Sequence, residues 1–402
     1  MGAPPSMLPH TMHVSDIPTP AVLIDIDRLD RNLDAMQALA NAQDVALRPH
    51  TKTHKSIEMA RRQEAKGARG LTVAKVGEAE VFAEAGFRDI RMAYATVGED
   101  KWERIAALIE SGIRTSFCVD TREGAQAASD YFHARGLLAE VLIEADIGYG
   151  RCGVRWDEPE SARFAAWVDG LPGLKLVGIL THAGHAYNGP ADDSESLLGA
   201  LTRVSEQERD RMLEFAVTLR ESGVSAAVDG SLEISIGSTP SIRPFTNRKY
   251  EGFQVTEIRP GNYLYLDMTQ VNLGVAPLDA CSLTVLATVI SAHRNPDGSH
   301  RFFLDSGKKV LTSDSAFRSK GYGQVLDAWD PMTPLAETVI TGLSEEHGWV
   351  RMTGDREIGV GERLRVVPNH ACVVVNTQKN LYLVQGDRVV GRLSVDGQSR
   401  VV

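Results

Sequence analysis

From residue 19 to about residue 267 the chain alternates between short β-branched runs and amphipathic stretches, and few architectures accept that rhythm. Val22-Leu23-Ile24-Asp25 reads as a strand, and Leu29, Leu33, Met36 and Leu39 follow at helical spacing. Strand-like runs recur at Val45-Ala46-Leu47, Leu71-Thr72-Val73-Ala74 and Ile90-Arg91-Met92-Ala93, then at 115–119, 139–144, 176–180 and 233–236. Helical stretches lie between them, at 56–66, 76–85, 102–111, 122–134 and, longest, 195–222. Strands joined through helices run parallel, and about eight such units in roughly 250 residues predict a closed (β/α)8 barrel over 19–268.

Beyond Asp267 the period changes from helical to two. Residues 282–289 alternate, Asn295-Pro296-Asp297-Gly298 is a turn, and Arg301-Phe302-Phe303-Leu304 returns as a hairpin partner. A second hairpin turns at Gln385-Gly386-Asp387, so 269–402 is expected to be a mostly antiparallel β domain, and 1–18 a flexible N-terminal segment. A chain of 402 residues exceeds what one core usually supports, which agrees with two domains. The net charge of −10 excludes a broad basic face for nucleic acid. No apolar run reaches the roughly 20 residues that cross a bilayer, and the start lacks the pattern of a secretory signal. Four cysteines with no CxxC pair argue against a disulfide framework, and the expected location is the cytoplasm.

Five segments carry polar chemistry at expected strand ends. Arg48-Pro49-His50-Thr51-Lys52-Thr53-His54-Lys55 places Lys52 on the face where barrel sites are built, where its amine can form an imine with an aldehyde cofactor. The neighbouring His50, His54 and Lys55 would lower its pKa. Asp146-Ile147-Gly148-Tyr149-Gly150-Arg151-Cys152-Gly153 is a glycine-rich loop able to aim the Arg151 guanidinium at a phenolate or carboxylate. Thr181-His182-Ala183-Gly184-His185-Ala186-Tyr187 holds two histidines that are either a metal pair or one ring-orienting and one structural residue. Gly237-Ser238-Thr239-Pro240-Ser241 reads as a phosphate cradle, which Arg259-Pro260-Gly261-Asn262-Tyr263 would complete. In Pro368-Asn369-His370-Ala371-Cys372, a strand would point His370 and Cys372 to one side, where imidazole and thiolate favour zinc. Two protein ligands would leave such a site open, which suits catalysis.

With these segments in order, the chain resembles the fold-type III pyridoxal-phosphate enzymes, the alanine-racemase-like barrels, and within them the D-serine dehydratase and D-threonine aldolase family. The resemblance runs from Thr19-Pro20-Ala21 to the C-terminal hairpin and includes Leu343-Ser344-Glu345-Glu346-His347-Gly348. It implies that Lys52 holds pyridoxal phosphate as a Schiff base. Arg151 would address the phenolate oxygen, His182 the ring, and Tyr187 the neighbourhood of the ring nitrogen. Gly237, Ser238, Thr239, Gly261, Asn262 and Tyr263 would hold the phosphate. His370 and Cys372 would bind a divalent metal, zinc before manganese. The resemblance further implies a homodimer acting on a small D-amino acid.

Aldolase members of the family carry histidine and aspartate at the two ligand positions, and dehydratases carry histidine and cysteine. His370-Ala371-Cys372 therefore favours β-elimination to a keto acid and ammonia over retro-aldol cleavage to glycine and an aldehyde. Tyr149 and Gly150 depart from any one subfamily and leave the substrate open. A non-catalytic pyridoxal-phosphate carrier would lack the β domain. A racemase would need a second acid/base, for which Tyr322 lacks the context.

Overall fold

The computed structural model describes residues 12–329, 332–354 and 356–402. They divide into two compact units: residues up to Asp34 with Asn262–Gln398, and Ala35–Gly261 with Ser399–Val402.

The second unit is the barrel. Its parallel strands are β1 (Ala46–Leu47), β2 (Leu71–Val73), β3 (Asp89–Ala95), β4 (Arg114–Val119), β5 (Ala139–Asp146), β6 (Leu174–Leu180), β7 (Glu233–Ile236) and β8 (Glu257–Ile258). They pair in the order β1-β8-β7-β6-β5-β4-β3-β2. The ring closes between β1 and β2 through the parallel bridge His50↔Thr72, with Thr72 N–H donating to Pro49 O at 3.0 Å and Arg69 N–H to Leu47 O at 2.8 Å.

The helices cover the strands with apolar stripes. In Arg122–Ala134, capped by Thr121 Oγ1 accepting from Gly124 N–H, the buried residues Ala125, Ala128, Tyr131 and Phe132 fall at helical spacing. Burying a side chain the size of Phe132 contributes about 1.5–3 kcal/mol.

Toward the strands' N-terminal ends the barrel interior is charged. Glu257 accepts from Arg48 Nε at 2.5 Å and Arg91 Nη1 at 2.7 Å, and the Ser235 hydroxyl also donates to it. Arg48 continues to both Asp89 oxygens at 2.7 and 2.9 Å. Burial pushes the Glu257 carboxyl up, but Arg48 and Arg91 outweigh it and hold its pKa down at about 2.

The expected count of eight strands was reached by two compensating errors. Val22-Leu23-Ile24-Asp25 is a strand, Ala21–Asp25, but it lies in the other unit's sheet. There it pairs antiparallel with Leu283–Arg294 and parallel with Asn380–Gln385. The eighth barrel strand is β8, overlooked because it is two residues long and one of them is a buried glutamate.

In the first unit the hairpins turning at 295–298 and 385–387 form as read, within a mostly antiparallel sheet of nine strands. Of the segment expected to be flexible, residues 1–11 lie outside the described residues. Residues 12–18 correct that expectation. Val14 and Ile17 are fully buried against Leu23, Leu286 and Val384, and His13 bridges to Arg388.

Replacing Glu257 with alanine leaves two buried guanidinium groups without their shared counter-ion and is expected to cost about 3–5 kcal/mol. Urea denaturation would measure it, and a loss below about 1 kcal/mol would contradict the ion cluster's role. Because the folded pKa is depressed, Glu257's contribution is present above its ordinary pKa of 4.5 and is lost as pH falls toward about 2.

Candidate active site

The sequence-marked segments of the barrel gather at the C-terminal ends of its strands. Beyond β1 the chain makes a 3-10 turn, Thr51–Thr53, capped by His50 Nδ1, which accepts from Lys52 N–H at 3.3 Å. Thr51, Thr53, His54, Lys55 and Ser56 are all buried, whereas Lys52 between them is exposed. The backbone is thus fixed, and the charge of the Lys52 amine acts on His50 and His182. The cationic neighbours expected around Lys52 take a different form. Lys55, at a φ of 47°, turns to Glu78 Oε1 at 3.0 Å, and burial keeps His54 neutral down to about pH 4. His50 is also held well below its ordinary pKa, first by burial and then by the charge on Lys52.

His182, beyond β6, is held down to about 3 by burial first, then by Lys52 and Arg151. Its Nδ1 lies 3.2 Å from Gly237 O, and the Tyr149 ring meets it edge-on at 6.0 Å. Tyr149 requires Gly184, since a Cβ there would sit 2.2 Å from its ring. His185 lies on another side of that ring with both nitrogens buried and unpartnered among the described residues. No group of three or more metal-type side chains is assembled among the described residues, so a metal site at His182 and His185 gains no further ligand. Tyr187 is half-buried in the 3-10 turn Gly184–Asn188.

The loop after β5 is shaped by its glycines. Asp146 accepts from Gly148 and Gly150 N–H at 2.8 and 3.0 Å, and both glycines have positive φ. Arg151 is 3.4 Å from Glu144 Oε1, which Cys152 Sγ also approaches at 2.9 Å.

The cradle after β7 departs from expectation. Gly237 N–H donates to Glu208 Oε1 at 2.9 Å and Ser238 N–H to Ser241 Oγ at 3.2 Å, so those two backbone donors are already engaged. Thr239 opens a turn of four residues, Thr239–Ile242, too short to bring a helix dipole. The Ser238 hydroxyl is engaged as well, accepting from Ser241 N–H at 3.4 Å and lying 3.1 Å from Ser241 Oγ and 3.4 Å from Ala183 O, so Thr239 is the residue this segment would bring to an anion. Gly261 is required for packing, because a Cβ would fall 3.1 Å from His50 O and 3.0 Å from Thr53 Oγ1. The two units divide after Gly261. Asn262 and Tyr263 open the 3-10 turn Asn262–Leu264 of the other unit, where Asn262 Nδ2 donates to Asp267 Oδ2 at 2.6 Å.

His370 and Cys372 are not in a strand. The Asn369 side chain donates to Asp314 O at 2.9 Å and Gly321 O at 2.7 Å, turning the chain after Arg363–Val367. His370 then caps the helix Ala371–Asn376, of which Cys372 is the second residue. The helix start still brings the imidazole and the thiol within hydrogen-bonding reach of each other. His370 Nδ1 lies 2.6 Å from Asp314 Oδ2, which leaves Nε2 for a ligand.

Two contributing residues escaped the sequence reading, Glu208 and Asp314, and two that it named take other parts: His50 is neutral rather than cationic, and Arg259 lies in the barrel interior. Glu208 carried a usable signal, as an acid in register with the apolar stripe Leu201, Val204, Met212, Phe215 and Leu219. Arg259 is buried, donating to Ser235 Oγ at 2.6 Å and Thr181 O at 2.5 Å, with Nε unpartnered among the described residues. An exposed lysine, a neutral histidine beside it, a threonine in the turn after β7 and a buried cation make a set that suits a phosphorylated aldehyde. One imidazole beside one thiol, with a carboxylate behind the imidazole, suits a borderline-soft divalent metal.

Comparison with known proteins gives a family match for each part of the chain. Residues 24–269 match the alanine racemase N-terminal domain, and residues 282–384 match a serine dehydratase domain. D-threo-3-hydroxyaspartate dehydratase of Delftia sp. is 36% identical over 88% of this chain and 90% of its own. D-threonine aldolase of Arthrobacter sp. is 32% identical over 96% and 94%. The solved Delftia dehydratase superposes with a TM-score of 0.84 at 32% identity, covering 95% of this chain and 98% of that one. It has also been solved as a mutant lacking one histidine and, in a metal-free form, as a mutant lacking the cysteine two positions later. The chain therefore belongs to the alanine-racemase-like, fold-type III pyridoxal-phosphate enzymes, in the branch that joins such a barrel to a serine dehydratase domain.

Proposed function

We propose that this chain is a lyase of β-hydroxy-D-amino acids, dependent on pyridoxal phosphate and a divalent metal, and that its reaction is β-elimination to a keto acid and ammonia. The observation that carries this choice is the pairing of an imidazole with a thiol, His370 with Cys372, where an aldolase would carry a carboxylate. The 36% identity to a dehydratase supports it.

When bound, pyridoxal phosphate supplies an electron sink at the substrate Cα and the metal a Lewis acid at the β-hydroxyl. Lys52 Nζ is the amine that would anchor the cofactor, and the proton assigned to it is the one on Cα. His182, neutral above about pH 3, would border the ring without adding a competing proton. Arg151 keeps its charge at any working pH and would face the phenolate oxygen, and Tyr187 the ring nitrogen. The phosphate would be held by Thr239, with Gly237, Ser238, Gly261, Asn262 and Tyr263 shaping the surrounding turns. His370 through Nε2 and Cys372 through Sγ would hold the metal, zinc before manganese. Asp314 fixes the tautomer that frees Nε2. The four free cysteines suit a reducing compartment, and we read the enzyme as a cytoplasmic homodimer.

The test is a product assay. Offered D-threo-3-hydroxyaspartate, D-serine and D-threonine, the enzyme loaded with cofactor and zinc is expected to release keto acid and ammonia, and a chelator to stop it. Glycine and an aldehyde would instead establish retro-aldol cleavage, the reading favoured by the 32% identity to a D-threonine aldolase. Chelator-insensitive turnover would remove the metal from the reaction. Asp314→Ala is expected to weaken zinc binding about 10–100-fold, measured by competition with a chromophoric chelator. Unchanged affinity would show that Asp314 does not orient His370.

A further inference from the structure

Glu208 sits in the middle of the helix Leu197–Glu221, fully buried, and faces the barrel rather than solvent. No cation lies within ion-pair distance of it among the described residues. A carboxylate buried that way costs several kcal/mol, and the apolar positions around it on the same stripe would accept leucine. Its cost is offset by three donors from two different loops. Oε1 accepts from Ala183 N–H at 3.2 Å, beside His182, and from Gly237 N–H at 2.9 Å, while Oε2 accepts from Ser241 Oγ at 2.7 Å. Ser241 Oγ in turn accepts from Ser238 N–H at 3.2 Å. The loops are tied again by His182 Nδ1 at Gly237 O.

We infer that Glu208 is a positioning residue for phosphate recognition: together with Ser238 and Ser241 it clamps the loop after β6 to the turn after β7, so that the turn carrying Thr239 is held in one fixed arrangement. This rests on the reading that Thr239 meets the phosphate of pyridoxal phosphate. The geometry explains why Gly237 and Ser238 direct their N–H groups away from any ligand. Those donors, with the Ser238 hydroxyl against Ser241 and Ala183, hold the turn that carries Thr239. It also explains why a carboxylate is retained in an apolar stripe, since no hydrocarbon accepts three hydrogen bonds. A glutamine would serve almost as well, its Oε1 taking both backbone donors and its amide facing Ser241 Oγ.

The experiment titrates the full-length apoenzyme with pyridoxal phosphate and with pyridoxal, which lacks the phosphate, and follows the visible absorbance of the lysine adduct. The wild type is expected to prefer the phosphorylated form strongly. Absence of that preference would sink the underlying assignment of the phosphate site, and the inference with it. Glu208→Ala is expected to reduce the preference about tenfold or more, and Glu208→Gln to keep it within about threefold of wild type, as the loss or retention of one to two hydrogen bonds implies. A merely structural role would weaken both ligands alike, leaving the ratio unchanged, and that result would overturn the inference. So would equal loss of preference in Glu208→Gln, which would place the effect in the charge. If Glu208→Ala does not fold, Ser241→Ala removes only the hydroxyl arm. A fall in preference of about threefold is then expected, and an unchanged ratio overturns the clamp.

Discussion

The seam between β1 and β2 governs the rest of the barrel, and Arg48 is the residue that holds it. β1 is only two residues long, and the direct bridge across the seam is the single pair His50↔Thr72. Arg48 spans the gap electrostatically, reaching Glu257 on β8 to one side and Asp89 on β3 to the other. Gly70, at a φ of 61°, makes room for it, because a Cβ there would lie 2.3 Å from Arg48 Nη1. Lys52 follows four residues later on the same run, so its placement depends on that closure. Charge is an expensive way to close a ring, and it succeeds here because each oxygen and guanidinium group meets a partner.

Much of this was legible from sequence because alternation and period are physical requirements of a parallel barrel. The helices and the strands β1 to β7 carry that signal in their β-branched runs and apolar stripes. The extra run before them and the last strand mislead. Val22-Leu23-Ile24-Asp25 has every local property of a barrel strand, and only long-range pairing with residues 283–286 and 382–384 assigns it elsewhere. β8 has almost no local signature, since a buried glutamate is intelligible only once Arg48 and Arg91 are seen around it.

The site divides in the same way. Lys52, His182 and the 146–153 loop stand out in the sequence because strand ends rich in polar and glycine residues are conspicuous, and all three follow barrel strands. The roles assigned to their neighbours were less secure. Lys55 and His54 looked like cations that would tune Lys52, yet one is compensated by Glu78 and the other is neutral. Gly237 looked like a phosphate donor and instead anchors its own turn on Glu208. His370 and Cys372 meet through a helix start, a different geometry from the strand alternation that suggested them. Residue type and spacing locate chemistry, whereas hydrogen-bond accounting decides which atoms remain for a ligand.

The account stands on Lys52 as the amine that carries the cofactor. Reducing the enzyme loaded with pyridoxal phosphate with borohydride, then digesting it and mapping the pyridoxyl mass, tests that directly. The adduct is predicted on the peptide containing Lys52, at that residue alone. An adduct on Lys55, or on any lysine outside the turn that follows β1, would contradict the assignment and the mechanism built on it.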